Sequence, residues 1–350
     1  MTLNKLVVCP NCKSQLIINE QINERNAIAS CKCNQYPIIE GIIIMKTPEN
    51  REIVKELKQK KFEKVLVNLL AFSFSSKIFF KLTNRFTFIY KFLGFKKFIT
   101  LLTFFSFPKS WANYLKKREK IPSFFLSLFS LNLIKKNNDI IVDLGCGTGN
   151  LCPHYYNHVK AGNLIIIDQS FLNLYIVRLF FIKTSTTLIC ADLNISSPIK
   201  KSSVDFIFVI DCLHYIKNKK VFLSGTVNSL KKTGILNVIH ALNIDTPKDS
   251  YAMPINPTQT NYLLNEAGFK YSYFISNKKL WSALLRGKFI NLSNLSKIDQ
   301  SYAYNFFASK ERLLKKLKMQ KKYLLLMKKT KINYYQDPEL LKISKYADEA

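Results

Sequence analysis

Ile140-Ile-Val-Asp-Leu-Gly-Cys-Gly-Thr-Gly149 decides how this chain folds. It opens as a short apolar run, the kind buried in a parallel sheet. It then breaks into Gly145, Gly147 and Gly149 before a helical-looking segment that starts at Leu151. Glycine lets backbone turn tightly and approach a ligand with no Cβ in the way. The expected helix offers unpaired N–H groups and a positive dipole end. Asp143 falls at the carboxyl end of the strand, where open α/β sheets bind ligands. The stretch implies an α/β sheet and a nucleotide-type cofactor.

The chain downstream keeps a βα rhythm. Strands are expected at 139–143, 163–168, 187–191, 203–210 and 235–240, with helices at 151–159, 170–183 and 222–230. That alternation predicts a doubly wound, Rossmann-like, mostly parallel sheet. An acidic residue follows or closes four of these strands: Asp143, Asp168, Asp192 and Asp211. Asp168 lies about 20 residues beyond the glycines, where a carboxylate can accept from both hydroxyls of a ribose. A nicotinamide dinucleotide fits poorly. Asp143 would repel a pyrophosphate but can bind a cationic amino-acid group. Asn150 stands where a dinucleotide fold places its last glycine. Asp192 can accept from an exocyclic amine such as the adenine N6.

Six segments then fall in order: Val142-Asp-Leu-Gly-Cys-Gly-Thr-Gly149, Ile167-Asp-Gln-Ser170, Cys190-Ala-Asp-Leu193, Ser203-Val-Asp-Phe206 with Asp211-Cys-Leu-His-Tyr215, Leu230-Lys-Lys-Thr-Gly-Ile-Leu236 and Leu264-Asn-Glu-Ala-Gly-Phe269. Together they resemble the class I S-adenosylmethionine-dependent methyltransferases, in particular the ubiquinone/menaquinone-biosynthesis-like type 11 group. The resemblance covers about 130 residues and departs at Lys231-Lys-Thr-Gly234, where the family has Lys-Pro-Gly-Gly. It implies that Asp143, Gly145, Gly147 and Gly149 form the floor under the methionine part of S-adenosylmethionine. Asp168 would hold the ribose hydroxyls, Asp192 and the backbone of Leu193 the adenine, and Asp211 would lie beside the methyl group.

His214 is the candidate base near the fourth strand end, since imidazole can take a proton from a hydroxyl near neutral pH. Its other reading is packing in the following helix. His154 and His158 are i, i+4 on the first helix, but no further ligand pattern supports a metal there. Cys146 and Cys190 read as small buried hydrophobes. Cys212 follows the fourth strand without the Pro-Cys of cytosine chemistry. The Asp/Asn-Pro-Pro-Tyr/Phe motif of amino-methylating base enzymes is absent too.

At the N-terminus, Cys9-Pro-Asn-Cys12 and Cys31-Lys-Cys33 can close a tetrahedral zinc site. A module of this size has little core, so a metal would supply most of its stability. Cys9-Pro-Asn-Cys-Lys-Ser-Gln-Leu16 and Tyr36-Pro-Ile-Ile-Glu-Gly-Ile-Ile-Ile-Met45 resemble the zinc-ribbon family whose small members activate tRNA and translation-factor methyltransferases. That family usually spaces its second pair Cys-x2-Cys, one residue wider than here.

The chain carries 53 Lys and Arg against 23 Asp and Glu, for a net charge of +30. Only seven of the 53 are arginine. Base and phosphate readout favours arginine's bidentate fork, so the lysine excess raises the case for RNA or an anionic membrane only modestly. Residues 51–120 hold 17 basic and four acidic side chains with helix-spaced apolar residues. They read as a helical cap with lysines on its solvated face, or as a lid, with stops near Gly94, Pro108 and Pro122. Residues 309–332 read as a basic amphipathic helix carrying ten Lys and Arg. No secretory signal or membrane span is expected, so a cytoplasmic protein, peripheral to a membrane at most, is implied.

The expected organisation is a zinc-ribbon-like module at 1–46, a basic Phe-rich insert at 47–138, a methyltransferase domain at 139–290 and a basic helical extension at 291–350. The expected function is methyl transfer to a small-molecule or lipid-like acceptor. An RNA methyltransferase and a non-catalytic binding protein of the same fold are the rivals. The sequence carries no signal for oligomeric state.

Overall fold

The structure is a computed structural model. It describes residues 3–46, 49–83, 87–134, 136–183, 185–244, 252–286, 290–291, 302–312, 316–317, 325–327, 329–330 and 332. The N-terminal part forms strands β1 (Ile17–Gln21), β2 (Ala27–Ser30), β3 (Gln35–Ile39) and β4 (Ile42–Met45). Seven helices follow: α1 (Glu49–Lys58), α2 (Phe62–Leu70), α3 (Phe74–Thr83), α4 (Thr87–Leu93), α5 (Phe95–Thr103), α6 (Lys109–Lys117) and α7 (Pro122–Ser130). The expected punctuation explains their ends. Gly94, at φ +75°, separates α4 from α5. Pro108 precedes α6, and Pro122 starts α7, where a missing N–H costs nothing.

The βα part then runs β5 (Ile141–Leu144), α8 (Cys152–Tyr155), β6 (Leu164–Asp168), α9 (Phe171–Phe180), β7 (Thr187–Ala191), β8 (Val204–Ile210), α10 (Lys219–Ser229) and β9 (Leu230–Leu242). It closes with α11 (Pro257–Ala267), β10 (Tyr271–Ser276), α12 (Asn277–Leu285), β11 (Ile290–Asn291), β12 (Ala303–Ser309) and β13 (Lys316–Leu317).

Eleven strands make one sheet in the order β1-β2-β3-β4-β7-β6-β5-β8-β9-β12-β10. Strands β4, β7, β6, β5, β8 and β9 are mutually parallel, and β12 runs antiparallel between β9 and β10. From β5 the chain steps outward to β6 and β7, then returns to β8 on the other side. The boundary between β5 and β8 is therefore the topological switch point, where a doubly wound sheet opens a crevice. Both faces are covered. Ile141 and Ile166 point into a core packed by α1–α7, α9 and α12, while Val142, Ile165 and Ile167 point into one packed by α10, α11 and the cysteine-bearing loops. This double burial is why β5 and β6 read as unbroken apolar runs.

Two expectations need correction. The first helix after the glycines spans only Cys152–Tyr155, with Pro153 in its first turn, so it supplies no extended N-terminal dipole. The tail expected to be helical over 309–332 is mixed among its described residues: Ser309 ends β12, residues 316–317 form a strand pair with β11, and residues 325–327 are helical. The cysteine-bearing strands join the main sheet, because β4 pairs with β7 and carries β1–β3 into it. β12 is apolar enough to be buried along its whole length, and the sheet thus continues past residue 290. Most of the rest of 309–332 lies outside the described residues.

Candidate active site

The glycine loop is shaped from within. Gly145, Gly147 and Gly149 have φ values of +72°, +55° and +77°. The Gly145 N–H donates to the Ile167 carbonyl at 2.8 Å, which ties the loop to β6. A Cβ at Gly145 would lie 2.1 Å from the Cys212 Sγ, so a side chain there is excluded. A Cβ at Gly149 would meet Val177 of α9 at 2.6 Å. Nothing lies within 4 Å of a Cβ built at Gly147, so the space beside this glycine is open.

Three carboxylates lie at or just past the carboxyl ends of the neighbouring strands β5, β6 and β7, and one of them touches Gly147. Asp168 is 6% exposed and accepts from the Gly147 N–H at 2.9 Å, the Ser170 N–H at 2.8 Å and the Asn173 Nδ2 at 3.3 Å. Burial raises its pKa, and these donors oppose the rise. Asp143 is 2% exposed, and burial pushes it up to about 7, with the Tyr155 hydroxyl and the Arg118 guanidinium pulling the other way. Asp192, after β7, accepts from both the backbone and the side-chain nitrogen of Asn194 at 2.9 and 2.8 Å. Leu193 is half-buried beside it and lies 4.0 Å from the Gly145 Cβ position.

At the end of β8, Asp211 takes a left-handed backbone (φ +53°), which an Asp tolerates better than most residues. Its Oδ2 accepts from the Tyr114 hydroxyl at 3.2 Å and lies 3.8 Å from the Arg118 guanidinium. Arg118 also donates to the Tyr114 hydroxyl. Its Oδ1 faces the Nε2 atoms of His214 at 4.0 Å and His240 at 3.9 Å. His214 is buried in a short 3-10 turn (Leu213–Tyr215), as both of its sequence readings allowed.

His240 ends the strand expected at 235–240. Its Nδ1 accepts from the Asn277 amide at 2.7 Å, Asn277 accepts from Asn305 at 2.9 Å, and Asn305 accepts from the His240 N–H at 3.0 Å. All three side chains are buried. This ring of amides assigns the imidazole proton to Nε2, the atom that faces Asp211.

The sequence also gave no weight to Tyr114 and Arg118. They sit i, i+4 along α6 and the turn after it, and Arg118 is one of only seven arginines in a lysine-rich chain. That rarity was the available signal. A small cavity of about 20 Å³ lies among Arg118, Phe124, Asp143, Cys146 and Ile210. Of the other expected groups, Cys146 and Cys190 are buried in the core, and His154 packs edge-on against Phe124 at 5.5 Å.

The N-terminal thiols converge. The Sγ atoms of Cys9, Cys12, Cys31 and Cys33 all lie within 4.8 Å of one another. Cys33 lies 3.6 Å from Cys9 and 3.7 Å from Cys31. A zinc ion with four bonds of about 2.3 Å sets its sulfurs about 3.8 Å apart, so the donor set and spacing fit. Cys9 also receives the N–H groups of Asn11 and Cys12 at 3.3 and 3.4 Å and lies 3.1 Å from the Tyr36 hydroxyl. Donors to the sulfur of this kind steady a metal-bound thiolate.

Residues 142–238, which run from β5 into β9, match the family model described as a methyltransferase domain. Among solved structures, a chain from a complex containing the Haloferax volcanii Trm112 methyltransferase activator is similar at 13% identity. That match covers 59% of this chain and 96% of the other, with a TM-score of 0.45. The phosphoethanolamine N-methyltransferase 2 of Haemonchus contortus, solved with S-adenosyl-L-methionine, matches at 16% identity over 59% of this chain and 60% of its own, at a TM-score of 0.38. A Mesorhizobium loti S-adenosylmethionine-dependent methyltransferase matches at 18% identity over 51% of this chain and 95% of its own, at 0.40. No curated protein sequence matches significantly. The fold is that of a doubly wound α/β domain with a polar cluster at its switch point. Over 142–238 the chain is similar to the methyltransferase domain family. The match does not single out the ubiquinone/menaquinone-type subgroup.

Proposed function

We propose that the chain transfers a methyl group from S-adenosylmethionine to a small-molecule or lipid-like acceptor. The open face of Gly147 beside Asp168 is the observation that carries this reading. A Cβ would fill that space, and a buried carboxylate already fixes the loop around it. The residues present fit the cofactor. Asp143 suits its ammonium, Asp168 its ribose hydroxyls, and Asp192 with the Leu193 backbone its adenine. When bound, the cofactor supplies a methyl group already activated on a sulfonium.

The chain's own residues then have little covalent work to do. They must align the acceptor, hold its proton and keep water out. Asp211 holds the acceptor side of the crevice, with Tyr114 and Arg118 on one of its oxygens and the two histidines facing the other. His240 carries its proton on Nε2, and His214 is the candidate to receive a proton from an acceptor hydroxyl or amine. The cavity beside Asp143 holds about 20 Å³, roughly one water. Loading the cofactor therefore requires Arg118 and Phe124 to swing aside, which makes the segment from α6 to α7 the natural lid.

The cysteine cluster is read as a structural zinc site. All four positions are thiolate donors with no open ligand position, the pattern of a structural rather than catalytic metal. Calorimetric titration with S-adenosylhomocysteine, followed by a methyl-transfer screen over apolar amines, phenols and lipid headgroups, tests the reading. An RNA acceptor would instead give turnover on total RNA and none on the small molecules.

A further inference from the structure

Helices α3 to α6 are apolar on two sides. Their inner face is conventional: Phe79, Phe80, Tyr90, Phe98, Ile99 and Leu102 are buried in the core. Their outer face is not. Phe74 is 81% exposed and Leu82 68%, with Ile78 between them at helical spacing on α3. On α4, Phe92 is 91% exposed, one turn after exposed Phe88. Phe104, just past α5, is 78% exposed, and Trp111 on α6 is 55% exposed. Single exposed apolar side chains are ordinary, but repeated ones at i, i+4 on neighbouring helices mark an interaction surface.

The helices that carry these side chains are held together. Phe79 of α3 packs on Tyr90 of α4 at 6.0 Å and stacks on Phe105 at 4.3 Å. Ser73 donates to the Phe105 carbonyl at 3.0 Å, and Ser75 pairs with Ser106 at 3.1 Å. Phe104 therefore belongs to the same platform as α3 and α4.

The charge around the platform has one sign. From residue 71 to residue 118 the sequence has no Asp or Glu and ten Lys or Arg. Lys77, Lys81, Lys91, Lys96, Lys97 and Lys109 are all exposed. A second copy of this chain would bring like charge to the same face and be repelled. RNA accepts lysines and stacks on aromatic rings, but it gains little from Ile78 and Leu82. An anionic lipid surface suits every part: apolar side chains enter the acyl boundary, lysines reach the headgroups, and an exposed tryptophan sits at the interface.

We infer that the outer face of α3 to α6 docks the protein on anionic lipid membranes. Trp111 ties this face to the crevice. Its ring packs edge-on against Tyr114 at 5.9 Å, and Tyr114 donates to Asp211. Contact at Trp111 thus reaches the acceptor side of the site through one residue. Membrane docking stands on the surface alone, whereas its use to fetch a lipid-like acceptor rests on the methyltransferase reading.

The test is co-sedimentation of the full chain with vesicles of phosphatidylglycerol and phosphatidylcholine, against vesicles of phosphatidylcholine alone. The wild type is expected to pellet with the anionic vesicles and stay in solution with the neutral ones. A Phe74→Ser, Leu82→Ser, Phe92→Ser variant should lose at least about tenfold in vesicle affinity, since each removed side chain buries apolar area at the interface. A Lys77→Gln, Lys81→Gln, Lys91→Gln variant should lose the preference for anionic lipid. All six positions are exposed, so these variants should fold, and calorimetry with S-adenosylhomocysteine on each checks it. No vesicle binding by a wild type that binds S-adenosylhomocysteine overturns the inference and leaves the enzyme reading intact. So does binding untouched by the serine changes, a dimer in solution that they abolish without vesicle binding, or RNA binding in place of lipid binding.

Discussion

The Tyr114 hydroxyl donates to the Asp211 carboxylate at 3.2 Å, joining a helix of the Phe-rich insert to the carboxyl end of β8. The two residues are 97 positions apart in the chain. This bond, with Arg118 beside it, makes the insert a wall of the crevice. Tyr114→Phe removes one donor to a charged acceptor and should cost about 1.5–3 kcal/mol in thermal or denaturant unfolding. Arg118→Ala should cost more, about 3–5 kcal/mol, because it leaves the buried Asp211 carboxylate without its cation. Equal melting curves for both variants and the wild type would show that the insert is not held by this contact.

Asp143 gives the chain a pH signature. Burial lifts its carboxyl from the ordinary 3.8 to about 7. The native state therefore keeps a proton that the unfolded chain releases, and the resulting stability is whole below about pH 4 and lost as pH rises through about 7. Asp143→Asn should flatten the fall in melting temperature across that window. S-adenosylhomocysteine, whose ammonium favours the ionised carboxylate, should bind the wild type more tightly as pH rises through the same range and release a proton on binding. A wild-type affinity that is flat from pH 5 to pH 8 would contradict this role.

The glycines separate folding from binding. Gly145→Ala sets a Cβ 2.1 Å from the Cys212 Sγ and should destabilise the fold by several kcal/mol. Gly147→Ala meets nothing within 4 Å and pays only for a left-handed backbone, about 1–2 kcal/mol. It should nevertheless weaken S-adenosylhomocysteine binding more than tenfold, roughly 1.4 kcal/mol or more. A Gly147→Ala variant with wild-type affinity would place the cofactor elsewhere.

The cysteine cluster predicts about one zinc per chain, measured by colorimetric release. Chelation should lower the melting temperature, since β1–β4 are continuous with the main sheet through β7. Cys12→Ser should abolish stoichiometric metal while Cys146→Ser, buried in the core, should not. Metal-free protein with an unchanged melting curve would contradict the assignment.

What the sequence shows and what it hides divide along sequence separation. The places of Asp143, Gly145, Gly147 and Asp168 in the fold were legible because one strand–loop unit and the next strand end carry them, and local backbone chemistry dictates their type. The expected strands survived with their cores, since burial on both faces leaves unbroken apolar runs. Tyr114, Arg118 and His240 were illegible because their meaning comes from partners 97, 93 and 29 residues away, and no periodicity encodes that. In the tail, Lys316 and Leu317 pair with β11 where a continuous helix was expected, because tertiary pairing overrides propensity. The shortened first helix follows from Pro153, visible in the sequence and given too little weight.

The central claim is that the open face of Gly147, beside Asp168, holds S-adenosylmethionine. Calorimetric titration of the wild type with S-adenosylhomocysteine, repeated on Asp168→Asn and with NADH as ligand, tests it most directly. The account predicts saturable binding by the wild type, a loss of at least about tenfold in the variant, and no heat from NADH. Folded wild-type protein that ignores S-adenosylhomocysteine, or an Asp168→Asn variant that binds it equally well, would contradict the account.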